Sequence, residues 1–141
     1  MLTVLESATI AYPPAEVFDL AADPHKQLEW DRGNLRSVEK LTPGPLGAGA
    51  RYRGDFKGFG TMEYEFAEFE QGRRFTHYVK MPMGELRHVF TFEPDGGRTR
   101  FTQEGRLKPS LLGRIMWPVM SRTLRKRFHT IASEVEEHLG R

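Results

Sequence analysis

From Thr3 to Ile10 the chain reads TVLESATI, a loose alternation of apolar and polar residues that predicts a first strand. The next stretch, PPAEVFDLAADP, predicts a short helix. Proline opens it, Val17, Phe18 and Ala21 share its apolar side, and Asp23-Pro24 stops it. A second short helical piece covers His25 to Trp30, and LRSVEKL is a strand. Five more strand-like stretches follow, at about 49–57, 60–70, 73–81, 85–93 and 98–107. Gly58, Gln71-Gly72, Pro82-Met83-Gly84 and Pro94-Asp95-Gly96-Gly97 divide them. These are turn formers, and such close spacing predicts an antiparallel meander.

Turn positions predict registers. A two-residue loop at Pro82-Met83 sets Val79 opposite Leu86, His77 opposite His88 and Phe75 opposite Phe90. On the other face Lys80 then meets Glu85. One side is apolar and the other carries an opposite-charge pair, as a half-buried sheet requires. A turn at Gln71-Gly72 pairs Phe66 with His77 and Tyr64 with Val79. A turn around Gly58 pairs Tyr52 with Phe66 and Phe56 with Met62. All three turns gather one set of side chains on one concave face. Phe69 has the wrong parity, and a bulge near 67–69 repairs it.

In the last segment Trp117, Met120, Leu124, Phe128, Ile131, Val135 and Leu139 recur at close to the helical period and form one apolar stripe. Gly140 suits the C-terminal cap. Ser110 caps an earlier turn, and Pro118 either starts the main helix or kinks a longer one. The expectation is an α+β fold in a single domain, residues 1–141. A curved antiparallel sheet has one apolar face for the long helix to cover.

TPGPLGAGARYRG, residues 42 to 54, is dense in glycine. A phosphate-binding loop leads into a helix N-terminus, normally with a Lys-Ser or Lys-Thr pair. Here the glycines lead into a strand and no such pair follows, so the segment reads as a connection between strands. Leu46 is its one large apolar residue. Pointing inward it makes the loop a lid; pointing outward it leaves only a turn.

Composition narrows the function. There is no cysteine, which excludes disulfides, thiolate metal sites and cysteine nucleophiles. The N-terminus lacks the pattern of a secretory signal and no apolar run approaches the ~20 residues of a membrane span; the expected location is cytoplasmic. A formal charge of +2 argues against general nucleic-acid binding. The charge is uneven, however: from Lys108 to Ser133 there are six Lys or Arg and no acid.

The order strand, two short helices, six strands and long C-terminal helix resembles the START-like (SRPBCC) superfamily. That group includes the polyketide cyclase/dehydrase and lipid-transport proteins and the birch-pollen-allergen type. The pieces that carry the resemblance are ESATIAYPPAEVFDLAADPHKQLEWD, VEKLTPGPLGAGARYRG and FTFEPDGGRTRFTQEGRL. Together they cover essentially the whole chain. The resemblance implies a helix-grip fold with an apolar cavity between sheet and helix. It implies binding of lipids, sterols, polyketides or other hydrophobic molecules, with cyclases and aromatases among the members. It brings no shared catalytic set.

Within that frame His77 and His88 are cross-strand neighbours with Cβ atoms ~5 Å apart. They are candidates to share a proton or polarise a ligand carbonyl, or else are buried polar groups bonded to Tyr64, Gln103 or water. Tyr64 is the third catalytic candidate. Trp30, Tyr52, Tyr64 and Gln103 offer stacking surfaces and hydrogen bonds, or plain core packing. The candidate ligand wall also takes in Phe56, Met62, Phe66, Phe75, Val79, Leu86, Phe90, Met120, Leu124 and Phe128. Met81 and Met83 flank a hairpin near the expected mouth, where methionine adapts to varied shapes. No cofactor is implied, and a metal site lacks a third ligand. Arg122, Arg125 and Lys126 form a basic patch, either a solvated helix face or a contact for an anionic membrane or an acidic carrier protein. Asp19, Asp23, Glu29 and Asp31 read as surface carboxylates. The leading expectation is a binding protein for a small hydrophobic molecule. A polyketide cyclase or aromatase and an interaction module built on the basic helix are the alternatives.

Overall fold

The computed structural model describes residues 1–141. The elements run β1 (Leu2–Ile10), α1 (Pro14–Ala22), α2 (Pro24–Trp30), β2 (Leu35–Lys40), β3 (Arg51–Phe56), β4 (Gly60–Glu70), β5 (Arg74–Met81), β6 (Gly84–Asp95), β7 (Arg98–Pro109) and α3 (Leu111–Leu139). The seven strands form one antiparallel sheet in the order β1-β7-β6-β5-β4-β3-β2. From β2 to β7 it is a meander, and β1 closes on the far side of β7. This curved open sheet with a long C-terminal helix is an α+β helix-grip fold.

The β5–β6 hairpin has the predicted register: Val79 faces Leu86, His77 faces His88 and Phe75 faces Phe90, with Lys80 opposite Glu85. Between β4 and β5, Phe66 pairs with His77 and Tyr64 with Val79. The register shifts between Phe66 and Glu68, so the bulge leaves Ala67 over and returns Phe69 to the inner face opposite Phe75.

The β3–β4 pairing differs from expectation. Tyr52 faces Tyr64 rather than Phe66, Gly54 faces Met62, and Phe56 faces Gly60 rather than Met62. The reason is a tighter loop. Gly58 and Gly60 take φ values of 87° and 75°, conformations in which a side chain is strained, and the reversal centres on Gly58. The register moves by two residues, so every side chain keeps its face.

The helix α3 is longer than the apolar stripe alone indicates and contains Pro118 internally. Its first turn is seated on the β5–β6 turn. The Ser110 hydroxyl accepts from the Gly113 amide at 3.2 Å and donates to the Pro82 carbonyl at 2.7 Å. A Cβ on Gly113 would lie 1.9 Å from the Met83 carbonyl oxygen, and one on Gly84 2.2 Å from that of Lys108. Bare backbone at both positions lets the helix meet the turn. Farther along, Phe128, Ile131, Ala132 and Val135 are buried against the sheet and α1.

The glycine-rich β2–β3 connection leads into β3 as expected of a turn. Leu46 is partly buried and packs on the main core. It does not line the hollow described below, so it anchors the loop rather than forming a lid.

Candidate functional site

Between the concave face and α3 lies a hollow of ≈ 150 Å³, walled by residues of α1, α2, β3 to β6 and α3. Of the residues singled out from sequence, Trp30, Phe56, Met62, Tyr64, His77, Val79, Leu86, His88, Phe90, Met120, Leu124 and Phe128 line it. Tyr52, Phe66, Phe75 and Gln103 do not. These four are 2%, 0%, 0% and 2% exposed, and they pack behind the wall. Which inward residues reach the hollow depends on where α3 rests. Toward the start of α3, Phe59, Met62, Tyr64, Met81, Met120 and Thr123 line both the hollow and a larger outer cleft of ≈ 910 Å³. The two spaces therefore meet at a ring made chiefly of methionine and aromatic side chains. The cleft continues over β4 and β5 to Glu63, Glu65, Tyr78 and Lys80.

The two histidines have different surroundings. His88 lies between Phe90 and Phe128, with ring centroids 3.9 and 4.3 Å away and planes within 25°. The Gln103 amide group donates to the Phe128 carbonyl at 2.8 Å, which turns its oxygen toward His88 Nε2 at 3.0 Å. His88 therefore donates from Nε2 and is a satisfied wall group. His77 stands 6.4 Å away, ring centre to ring centre and nearly perpendicular, so the rings do not share a proton. His77 Nε2 is buried without a hydrogen-bond partner, and so is the Tyr64 hydroxyl. The two rings are 4.9 Å apart.

Burial fixes the charge state of this wall. Desolvation pushes the His77 imidazole down to about 3. Burial, reinforced by His77, holds His88 well below the ordinary histidine value. Burial also raises the Tyr64 phenol, with smaller contributions from Tyr52 and Asp23. Near neutral pH the wall offers a neutral imidazole and an intact phenol.

At another part of the rim Arg127 reaches Asp31 with two hydrogen bonds, at 2.9 and 2.5 Å. Gln27 donates to the same carboxylate at 2.9 Å and Asn34 at 3.3 Å. Asp31 is 2% exposed, which corrects its reading as a surface group: the guanidinium and two amides replace its water. Gln27, Asn34 and Arg127 line the hollow and were not singled out from sequence, nor were Ala21, Phe59, Thr123 and Ile131 as lining residues. The available signals were Gln27 and Asp31 one helical turn apart, Arg127 one turn before Ile131, and an aromatic residue between Gly58 and Gly60. Arg122, Arg125 and Lys126 lie on the exposed side of α3, where Arg125 meets Glu6 at 3.2 Å. No group of three or more potential metal-ligating side chains is present.

A family model described as polyketide cyclase / dehydrase and lipid transport matches residues 1–140. The chain belongs to this family. Solved structures agree on its fold. A START superfamily protein from Mycobacterium smegmatis has a TM-score of 0.79 at 12% identity, over 96% of this chain and 95% of that one. A protein from Thermus thermophilus has 0.69 at 19%, over 96% and 95%. DynU16, a protein of the dynemicin biosynthetic locus, has 0.73 at 16%, over 98% of this chain but 47% of its own, so this family member spans about half its length. No curated protein matches the chain.

Proposed function

We propose that this chain binds a small, mostly apolar molecule in the hollow under α3, without covalent chemistry. The observation that carries the reading is the pair of buried, unpartnered polar atoms, Tyr64 Oη and His77 Nε2, on an otherwise largely apolar wall. Leaving a buried polar group unpaired costs about 1–3 kcal/mol. A ligand carrying a hydroxyl or carbonyl offers both atoms a partner. Because the two histidines and Tyr64 are uncharged and the Arg127 guanidinium is already paired with Asp31, an uncharged ligand is favoured. A space of ≈ 150 Å³ suits about one aromatic ring. A larger ligand extends past Met62, Met81 and Met120 into the outer cleft. The family description, which includes lipid transport, is consistent with such cargo.

The test is titration with an uncharged phenylnaphthylamine fluorophore. Leu124 lines the hollow from the helix. Leu124→Trp fills it and is expected to weaken binding by about tenfold or more, the loss of roughly one ring's apolar contact. Unchanged affinity in a folded Leu124→Trp protein contradicts the proposal.

The closeness of a neutral imidazole to a phenol favours one second reading, a cyclase or aromatase. There Tyr64 donates to a carbonyl oxygen of a held polyketide and the neutral His77 imidazole hydrogen-bonds and orients it, while the proton lost from the substrate carbon passes to water. His77→Ala and Tyr64→Phe then each abolish turnover of a linear polyketide. Turnover that persists in both variants excludes it.

A further inference from the structure

The outer face of α3 changes character along its length. Leu111, Leu112, Ile115 and Val119 are 75%, 46%, 67% and 58% exposed. Residues 111, 115 and 119 follow one another at one-turn spacing. The same outward stripe then continues through Arg122 and Lys126, both exposed. No acid lies between Lys108 and Ser133. Phe59, 55% exposed, lines the outer cleft together with Val119. Large aliphatic side chains grouped in water mark a contact surface.

We propose that this end of α3 docks on an anionic lipid bilayer, with Leu111, Ile115 and Val119 in the acyl boundary and Arg122 and Lys126 at the lipid phosphates. An exposed aliphatic patch beside cations supplies the two contributions to interfacial binding, buried apolar area and attraction to anionic lipid. No helix of the chain is long and apolar enough to cross a membrane, so α3 lies on the surface. Charge selects this occupant over a second copy of the chain. A two-fold contact sets this surface against itself, and with no acid between Lys108 and Ser133 a second copy offers Arg122 and Lys126 no compensating charge from the same helix stretch. The location gives the contact a use: the outer cleft opens beside the docked end and faces the lipid. In that use the inference rests on the ligand-binding reading; the docking itself does not.

Docking is tested without any cavity ligand, by co-sedimentation with vesicles of phosphatidylcholine alone or mixed with phosphatidylglycerol. The expected result is binding to the mixed vesicles, weakened by salt and much reduced on phosphatidylcholine alone. Ile115→Asp abolishes it. Arg122→Ala with Lys126→Ala lowers affinity about 25-fold, roughly fivefold per cation. These residues are exposed, and a thermal melt verifies folding; Leu111→Ser replaces Ile115→Asp if the latter fails to fold. Absence of binding to mixed vesicles overturns the proposal, and so does wild-type binding by the apolar variants. A dimer that Ile115→Asp disperses, without vesicle binding, assigns the face to a second copy and overturns lipid docking. Capture of an acidic carrier protein without vesicle binding assigns it to protein and equally overturns lipid docking. Fluorophore binding to the hollow is scored separately, so either idea can fail alone.

Discussion

His77 and His88 face each other across β5 and β6, yet only His88 has a hydrogen-bond partner. Both are held neutral by burial, with a consequence for stability. Well above about pH 6.5 both histidines are essentially unprotonated in the folded and the unfolded chain, and neither affects the balance. As pH falls below 6.5 the unfolded chain takes up protons that the folded chain refuses. Stability is therefore lost from about 6.5 down toward about 3, the value for His77. His77→Phe should remove up to one proton's share of that slope, about 1.4 kcal/mol per pH unit. Urea midpoints of wild type and variant between pH 7 and 4 measure it, and parallel curves contradict it. The pairing of the two histidines was legible because Pro82-Met83 fixes the hairpin register. Their different hydrogen bonding was not, because it depends on Gln103, which the Phe128 carbonyl of a distant helix orients.

The helix α3 is positioned by its first turn. Alanine in place of glycine within a helix ordinarily stabilises by roughly 1 kcal/mol. Gly113 should invert that sign, since its Cβ would lie 1.9 Å from the Met83 backbone oxygen. Gly113→Ala is expected to cost about 2 kcal/mol or more in urea unfolding, as overpacking does. Stabilisation by this substitution would disprove the close seat. Sequence patterning recovers elements and faces well where turn chemistry is local, as in the hairpins at 71–72 and 82–83. It places the β3–β4 register two residues away because two nearby glycines permit more than one loop. It also leaves the start of α3 open. The apolar stripe thins toward the N-terminus, where the helix is held by hydrogen bonds and bare backbone instead of side-chain burial.

At the scale of the whole molecule, one face of a seven-stranded sheet supplies both the core and the hollow. Inward-facing residues were therefore readable from strand alternation. The division of Tyr52, Phe66 and Phe75 into core and Phe56, Val79 and Leu86 into wall was not, because it is set by where α3 and α2 come to rest. Nor was the Asp31–Arg127 pair, which joins residues 96 apart in sequence. The methionines now divide by position. Met62, Met81 and Met120 line both hollow and outer cleft, Met83 and Met116 the cleft alone, and Met1 neither; Met1 is 79% exposed at the N-terminus. Methionine-methyl NMR during titration with an uncharged naphthalene probe therefore tests the binding site most directly. Large, saturable shifts are expected at Met62, Met81 and Met120, smaller ones at Met83 and Met116, and none at Met1. Shifts spread evenly over all six, or no saturable shift at Met62, Met81 and Met120, would contradict it.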